Sequence, residues 1–258
     1  MLAFTEPQLM YLVSQYILPL TRISAFFMAA PIFGTRIVSA KIRLTLSIAI
    51  TIIIVPLLPP ASTLSGLSLS MMLVVGQQIL IGVALAFIFQ VVFQLFVLAG
   101  MFIAMKMGLG FASMNDPSSG MSVSILSQFY LLTTTLLFLS FNGHLVLVSI
   151  LVDSFSMLPI SASGITPENI YRIVELGGWM FGSALTISLP VLTALLLVNI
   201  AFGVMSRSAP QMNIFAVGFP LTLLFGLFIM WVGFNAFLPS FELFVDQGMK
   251  FAISVLQG

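Results

Sequence analysis

Residues 44–105 read LTLSIAITIIIVPLLPPASTLSGLSLSMMLVVGQQILIGVALAFIFQVVFQLFVLAGMFIAM and contain no Asp, Glu, Lys or Arg. This charge-free stretch of 62 residues separates Arg43 from Lys106. A helix that crosses a bilayer needs about 20 apolar residues, so the stretch is long enough for two crossings. A buried helix of a soluble protein is much shorter, and the stretch therefore predicts a membrane protein.

The composition of the whole chain indicates the same class. Of its 258 residues, 60% are hydrophobic and only 6% are charged, whereas roughly 25% of the residues of a typical soluble domain are charged. The net charge of +1 gives no reason to expect a nucleic-acid partner. The sequence has no cysteine, which excludes disulfides and thiolate metal sites. We therefore expect an all-α integral membrane protein.

Apolar residues are concentrated in six runs, which we expect to form about six long helices arranged as hairpins. The second run is short because Pro56 follows it closely. The third run is much longer than a minimal crossing, so we expect it to project beyond the bilayer or to bend near Gly82 or Gly100. The runs cover about residues 9–31, 44–58, 69–104, 123–151, 177–205 and 213–238.

Lys and Arg are distributed unevenly among the connecting segments. Basic residues fall in segments 32–43, 105–122 and 206–212. Segment 59–68 carries no charged residue, and the few charged residues of segment 152–176 are mostly acidic. Cytoplasmic loops are enriched in Lys and Arg. The three basic segments are therefore predicted to be cytoplasmic, with six spans and both termini outside.

The C-terminal tail has the pattern of an amphipathic helix. Glu242, Asp246 and Lys250 recur every four residues on its polar face. Two roles fit this pattern: an interfacial helix that lies on the membrane, or a helix that packs on a partner subunit. The apolar face consists of Phe241, Phe244, Val245, Met249, Ala252, Val255 and Leu256.

No catalytic constellation is recognisable in the sequence, which favours a non-enzymatic protein without a cofactor. His144, the only histidine, lies in an apolar run beside Asn142 with no acid near it, so a packed structural role is expected rather than a base or a ligand. A small-molecule secondary transporter would be built from inverted repeats around polar ligands at mid-span. We find no convincing repeat, and Arg22 is the one candidate ligand.

Arg22 interrupts the first apolar run and is the one charge expected deep in the membrane. A buried charge of this kind is costly unless it is paired or reaches water. The sequence favours a subunit contact or a water-facing position, and snorkelling to a headgroup is the alternative. Amides within the runs are expected to hydrogen-bond across helices of a packed bundle or oligomer; they are Gln77, Gln78, Gln90, Gln94 and Asn199.

Residues 106–121, KMGLGFASMNDPSSGM, are unusual because three glycines and a proline oppose a regular helix while many side chains are apolar. Irregular backbone survives at membrane depth only where protein buries it or where it lines a cavity. Flexible methionines suit a plug that seals a wide pore and then yields. A cytoplasmic turn whose apolar side chains rest on neighbouring helices fits the residues equally well.

Residues 206–220, SRSAPQMNIFAVGFP, form the last distinctive segment. Pro210 breaks one helix and Asn213 is suited to cap the next, which predicts a tight turn with Arg207 exposed. The run from Arg207 to Pro220 resembles the hallmark of the FliR/SctT family of type III secretion export gate subunits. Other segments of that family are resembled by three further stretches of this chain. They are LTRI at 20–23, APIFG at 30–34, and MGLGFA at 107–112 followed by Asp116-Pro117. The Gly218-Phe219-Pro220 ending favours its flagellar branch.

The resemblance covers essentially the whole chain and implies one FliR-like export gate domain over residues 1–258. Family members are inner-membrane subunits at the flagellar basal body that assemble with FliP and FliQ and contact FlhB. The gate passes unfolded flagellar proteins. The alternatives are the same gate subunit in a virulence type III system and the small-molecule transporter considered above.

The family resemblance also assigns expected roles to particular residues. Its central loop contributes to the plug of the closed pore, which favours the plug interpretation of 107–121, with Phe111 and Met114 chosen as sealing residues. The plug residues expected here are Met107, Gly108, Gly110, Phe111, Met114 and Met121. The residues expected to make subunit or structural contacts are Arg22, Arg207, Pro210, Gln211, Asn213 and Phe215.

Overall fold

Every regular element that the computed structural model describes is helical, which confirms the prediction of an all-α membrane protein. The model describes residues 6–35, 37–58, 69–109, 124–161, 164–208 and 214–257, with side chains described from residue 14 and again from residue 218. The α-helices within these ranges are α1 (Glu6–Ala29), α2 (Ala40–Ile54), α3 (Leu69–Lys106), α4 (Ile125–Ser140), α5 (Gly143–Met157), α6 (Pro167–Ser208), α7 (Ile214–Gly233) and α8 (Phe237–Gln257).

By length and composition, four helical stretches among the described residues are suited to cross a membrane: Ala40–Leu57, Leu69–Lys106, Pro167–Ser208 and Gly218–Gln257. A fifth is counted if α4 and α5 form one span, but these two helices are bent by 71°. Asn142 lies at the break with φ of 55°, in the left-handed region that helices do not use. The run at 123–151 is therefore not one straight helix, and the count of six spans stays a prediction.

Helix α3 covers the third apolar run as one helix of 38 residues, which at 1.5 Å per residue is about 57 Å long. It continues through both glycines at which a bend was considered. A Cβ at Gly82 would overlap the carbonyl oxygen of Arg22, and one at Gly100 would lie 2.8 Å from that of Leu126. At both glycines another helix therefore approaches so closely that a larger residue would not fit.

The chain divides into two compact units, and α3, α4, α6 and α8 contribute to both. The first unit comprises Met1–Val91, Phe138–Gly177 and Gln247–Gly258. Its core includes Phe26 and Phe27, whose rings meet edge to face with centroids 5.5 Å apart. Asn169 Nδ2 donates to the carbonyl oxygen of Val255 over 3.0 Å and ties the start of α6 to the end of α8. That the whole chain acts as one domain stays a prediction.

The second unit comprises Val92–Leu137 and Gly178–Asp246, and its core includes Phe96. The ring of Phe96 is fully buried, and its centroid lies 5.4 Å from that of Phe237. Phe241 and Phe244 of α8 lie at 6.2 and 6.3 Å. Aromatic rings at these separations pack favourably beyond the area that they bury, and they fix α8 against α3.

The C-terminal helix is amphipathic as predicted, and most of its apolar face is buried within the chain. Phe241, Phe244, Ala252, Val255 and Leu256 are all buried within this chain. Glu242 and Lys250 are exposed on the opposite face. The helix therefore packs much of its apolar face inside its own chain, while Val245 and Met249 of that face are half-buried. A contact of this helix with the membrane or with a partner subunit stays a prediction.

Candidate functional site

The side chain of Arg22 lies fully buried within the first unit, on α1. Its Nε donates to Oε1 of Gln78 on α3 over 2.8 Å. Nη1 donates to the carbonyl oxygen of Ser154 over 2.9 Å and to Ser154 Oγ over 3.1 Å. Nη2 donates to the carbonyl oxygen of Leu158 over 2.8 Å. One guanidinium thereby joins α1, α3 and the end of α5.

Two of the three residues that accept from Arg22 lie at the C-terminal end of α5, where the carbonyl of Ser154 also accepts from the amide of Leu158. The last four carbonyls of an α-helix have no intrahelical partner, and Leu158 is the C-cap of α5. The C-terminus of a helix carries partial negative charge, which favours a cation. The guanidinium carbon also lies 4.2 Å from the centroid of the Phe155 ring, a cation–π contact. Arg22 is therefore the cap of a helix that ends inside the protein.

The charge of Arg22 is balanced by these dipoles, since no described carboxylate pairs with it. An ion pair is formed elsewhere by Arg172 with Glu168 on α6, at 3.5 Å and largely exposed. Because the donors of Arg22 are bound by its own chain, the side chain is not free for the water-facing position or the subunit contact that the sequence favoured. Within the described ranges Gln78 Nε2, also buried, has no hydrogen-bond partner.

The partners of Arg22 had little signal in the sequence. Gln78 was noticed only as one of five amides within apolar runs. Ser154 and Leu158 lie 132 and 136 residues from Arg22 along the chain, and neither residue type is unusual in an apolar segment. A pairing over such a distance depends on how the helices pack, which no local pattern encodes.

The start of the expected plug segment is fixed in the second unit by contacts with α7. The side chain of Met107 is 1% exposed, and a Cβ at Gly226 would lie 2.6 Å from its Cε. Gly108 has φ of +81°, and a Cβ there would lie 3.1 Å from the Phe219 ring. The left-handed conformation ends α3, as a glycine at this position commonly does. The remaining plug residues, Gly110, Phe111, Met114 and Met121, lie outside the described residues.

The expected contact residues around the 206–220 turn are only partly described. Arg207 lies in the last turn of α6 and is exposed, as the sequence predicts for it. Phe215 lies in the first turn of α7, but its side chain is outside the described part. Pro210, Gln211 and Asn213 also lie outside the described residues. Their proposed contact role and the tight turn stay predictions.

His144 is the second residue of α5 and half-buried, and its Nδ1 is buried without a partner among the described residues. Within the same part of the chain, no three His, Asp or Glu side chains come together to hold a metal ion. The packed role expected for His144 stays a prediction.

Comparison with known proteins matches most of this chain to one family. The family described as bacterial export proteins, family 1, matches residues 13–248. The flagellar biosynthetic protein FliR of Pectobacterium carotovorum subsp. carotovorum is 39% identical over 227 residues, which is 88% of this chain and 87% of that protein. FliR of Escherichia coli K12 is 39% identical over 230 residues, covering 89% and 88%. FliR of Bacillus subtilis 168 is 31% identical over 211 residues, 80% of each.

Proposed function

This chain belongs to family 1 of the bacterial export proteins and is a membrane component of the flagellar export apparatus; from that premise we propose that it is a non-enzymatic subunit of the type III export gate. With FliP and FliQ, and in contact with FlhB, it forms a closed channel for unfolded flagellar proteins across the inner membrane. The observation that carries the proposal is the match over residues 13–248, together with relatives named as flagellar biosynthetic proteins.

The distribution of exposed apolar surface supports an assembled state. In the most apolar 18-residue stretch of α3, 67% of the residues are buried within the chain. In the corresponding stretch of α6, 17% of the residues are buried. Leu197, Ile200 and Val204 of α6 are each more than half exposed. Apolar surface of this extent has to be covered by lipid or by protein. FliP and FliQ are the proposed cover for part of it.

The geometry at the end of α3 supports a plug that begins at Gly108. Because Met107 is buried against α7, we assign it to the base of the plug segment and not to its sealing surface. Gly108, with its positive φ, ends α3 at this point. The seal itself is then assigned to Gly110, Phe111, Met114 and Met121. A soft apolar seal is suited to a pore that passes polypeptides of any sequence, because methionine adapts its shape to what it contacts.

The test is a deletion of residues 110–120 that keeps Met107 and Gly108. We expect the variant to co-purify with FliP and FliQ at wild-type yield and to leak small ions in a conductance assay on reconstituted membranes. A double substitution, Phe111→Ser with Met114→Ser, should leak in the same way. Leu57→Ser with Met72→Ser is the matched control, since both residues are exposed apolar side chains beside the uncharged 59–68 segment.

The two parts of the proposal fail in different ways. A deletion variant that stays tight and exports normally would remove the plug assignment while leaving the gate assignment in place. A wild-type chain that purifies alone and monodisperse would remove the gate assignment. The transporter alternative has lost the ligand that the sequence offered for it, because the hydrogen-bond donors of Arg22 are engaged inside the chain.

A further inference from the structure

Several hydrogen-bond donors of Arg22 and Gln78 have no acceptor in the described part of the chain. Both side chains are fully buried in the first unit, at 0% exposure. A guanidinium carries five N–H groups, and that of Arg22 makes four hydrogen bonds, which leaves at least one N–H over. Nε2 of Gln78 carries two more N–H groups and has no partner among the described residues. An unpaired buried donor is unfavourable, so these groups call for an acceptor.

The unmatched donors lie close together. Nε of Arg22 donates to Oε1 of Gln78 over 2.8 Å. The bond lengths of an amide place Nε2 about 2.3 Å from Oε1, so it lies within roughly 5 Å of Nε. Nη2 lies on the same edge of the planar guanidinium as the N–H of Nε. The edge that faces Gln78 therefore brings donors of both residues to one place.

This place also carries a positive charge without a described carboxylate beside it. Asp153 precedes Ser154 in the sequence, but it is exposed, and its Oδ2 accepts from Ser149 Oγ over 3.5 Å. The carbonyl dipoles at the end of α5 stabilise the guanidinium, yet they supply no full negative charge. A buried charge is most stable when an opposite charge pairs with it. An anion at the Gln78 side of Arg22 would provide that pairing.

The unmatched groups favour an anion over a water molecule. A buried water accepts hydrogen bonds but also brings two hydrogens that need acceptors of their own. The carbonyl of Ser154 already accepts from the amide of Leu158 and from Arg22. A halide ion accepts from donors in any direction and donates to none. Because both side chains are fully buried, only a small ion fits between them.

We propose that Arg22 and Gln78 form a buried binding site for a small monovalent anion of the size of chloride. The anion accepts from Nη2 of Arg22 and from Nε2 of Gln78, and it balances the charge of the guanidinium. It thereby completes the polar contact between α1 and α3. The site lies within the first unit of one chain and does not depend on the export function proposed above.

The experiment uses the full-length chain, purified in detergent together with the subunits that accompany it. Sodium chloride is replaced by sodium gluconate, whose anion is too large for the site, at constant ionic strength so that screening does not change. We expect a higher thermal midpoint in chloride, with a saturable dependence on its concentration, because a ligand that binds only the folded state stabilises that state. Equilibrium dialysis with radioactive chloride counts the bound ions, and bromide should displace them.

A carboxylate at position 78 tests the site directly. Gln78→Glu supplies the negative charge from the chain itself and should pair with Arg22. We expect this variant to bind one chloride fewer per chain than the wild type and to have the same thermal midpoint in both salts. Gln90→Glu is the matched control, because it adds the same charge at an exposed position of the same helix. It should keep the chloride binding and the chloride dependence of the wild type.

Two results overturn the proposal. One is a wild-type chain that binds no chloride and is equally stable in the two salts, which would assign water to these donors. This result is obtained without any variant, so it does not depend on whether Gln78→Glu assembles. The other is a Gln78→Glu variant that assembles and keeps the chloride binding of the wild type.

Discussion

Nη1 of Arg22 donates to the carbonyl oxygen of Ser154 over 2.9 Å, so that a residue of the first helix binds the last turn of a helix 132 residues further along the chain. Leu158 and Gln78 accept from the same guanidinium. These hydrogen bonds offset much of the free energy lost when the charge is removed from water, because N–H groups of Arg22 are directed at oxygen atoms inside the protein. They also mean that α1, α3 and α5 cannot separate without exposing carbonyls to an apolar interior.

Replacing Arg22 by Ala should destabilise the first unit strongly. The change leaves the carbonyl of Leu158 and Oε1 of Gln78 without their donor, at roughly 2–5 kcal/mol in total, while the carbonyl of Ser154 keeps its bond from the amide of Leu158. Arg22→Lys should recover only part of this, because one ammonium lacks the fork geometry that reaches three acceptor residues. The measurements are the yield and thermal midpoint of the purified complex.

The control for Arg22 is Arg172→Ala, which removes an exposed Arg with a single partner at 3.5 Å. An exposed pair of this kind contributes at most about 1 kcal/mol, so the thermal midpoint should hardly change. Equal effects at Arg22 and Arg172 would contradict the capping role.

Gly82→Ala should separate α1 from α3 in the first unit, because the new methyl group would overlap the backbone carbonyl of Arg22. A backbone atom cannot move aside as a flexible side chain does, and overpacking of this kind costs at least about 1–3 kcal/mol. We expect a lower thermal midpoint and a lower yield of complex. Gly76→Ala on the same helix is the matched control, since nothing lies within 4 Å of its Cβ position. It should leave stability unchanged or raise it by up to about 1 kcal/mol.

Gly108→Ala should disturb the base of the proposed plug. Its φ of +81° is unfavourable for an L-residue by about 1–2 kcal/mol. The new Cβ would also lie 3.1 Å from the Phe219 ring. We expect a lower thermal midpoint together with ion leak through the reconstituted complex.

A second change, at Phe219, distinguishes the strain from the positive φ of Gly108 from the crowding by the Phe219 ring. Gly108→Ala combined with Phe219→Ala removes the ring that crowds the new methyl group, so its cost should be less than the sum of the single changes. Strict additivity would show that the strain at φ, and not the contact with α7, accounts for the effect of Gly108→Ala.

Phe96→Ala should be among the most damaging changes in the second unit. Its fully buried ring contacts three aromatic residues of α8, and truncation of a buried Phe costs about 3–5 kcal/mol. Release of α8 would be detected as faster limited proteolysis near the C-terminus. Phe87→Ala, at a position of the same helix where the ring is 46% exposed, is the control and should leave the proteolysis pattern unchanged.

Much of the fold could be predicted because apolar length is a local property. The charge-free stretch from residue 44 to 105 predicted α2 and the long α3, and the pattern of residues after Phe241 predicted an amphipathic α8. The sequence did not predict that α8 packs on its own chain, because the pattern shows that a face is apolar but not what covers it. It also missed the 71° bend between α4 and α5, where Asn142 adopts a conformation that its neighbours do not reveal.

For the candidate sites as well, the sequence predicted which residues are unusual but not which residues they contact. Arg22 was identified from the sequence because a charge in an apolar run is costly and has to be accounted for. Its acceptors were not identified, since one serine and one leucine carbonyl are indistinguishable from many others. Met107 and Gly108 were placed in the plug segment by residue type, and only their contacts with Gly226 and Phe219 assign them to its base.

The sequence by itself determined that this is an α-helical membrane protein, where its long helices lie, and through distinctive segments that it resembles one family. Those properties follow from composition and order along the chain. The tertiary structure alone decided that the buried charge of Arg22 is stabilised by hydrogen bonds to Gln78, Ser154 and Leu158, that Gly82 and Gly100 are points of backbone contact, and that α8 packs on its own chain. The physical reason is that hydrogen bonds and close packing depend on which distant segments meet, and a local pattern does not specify that.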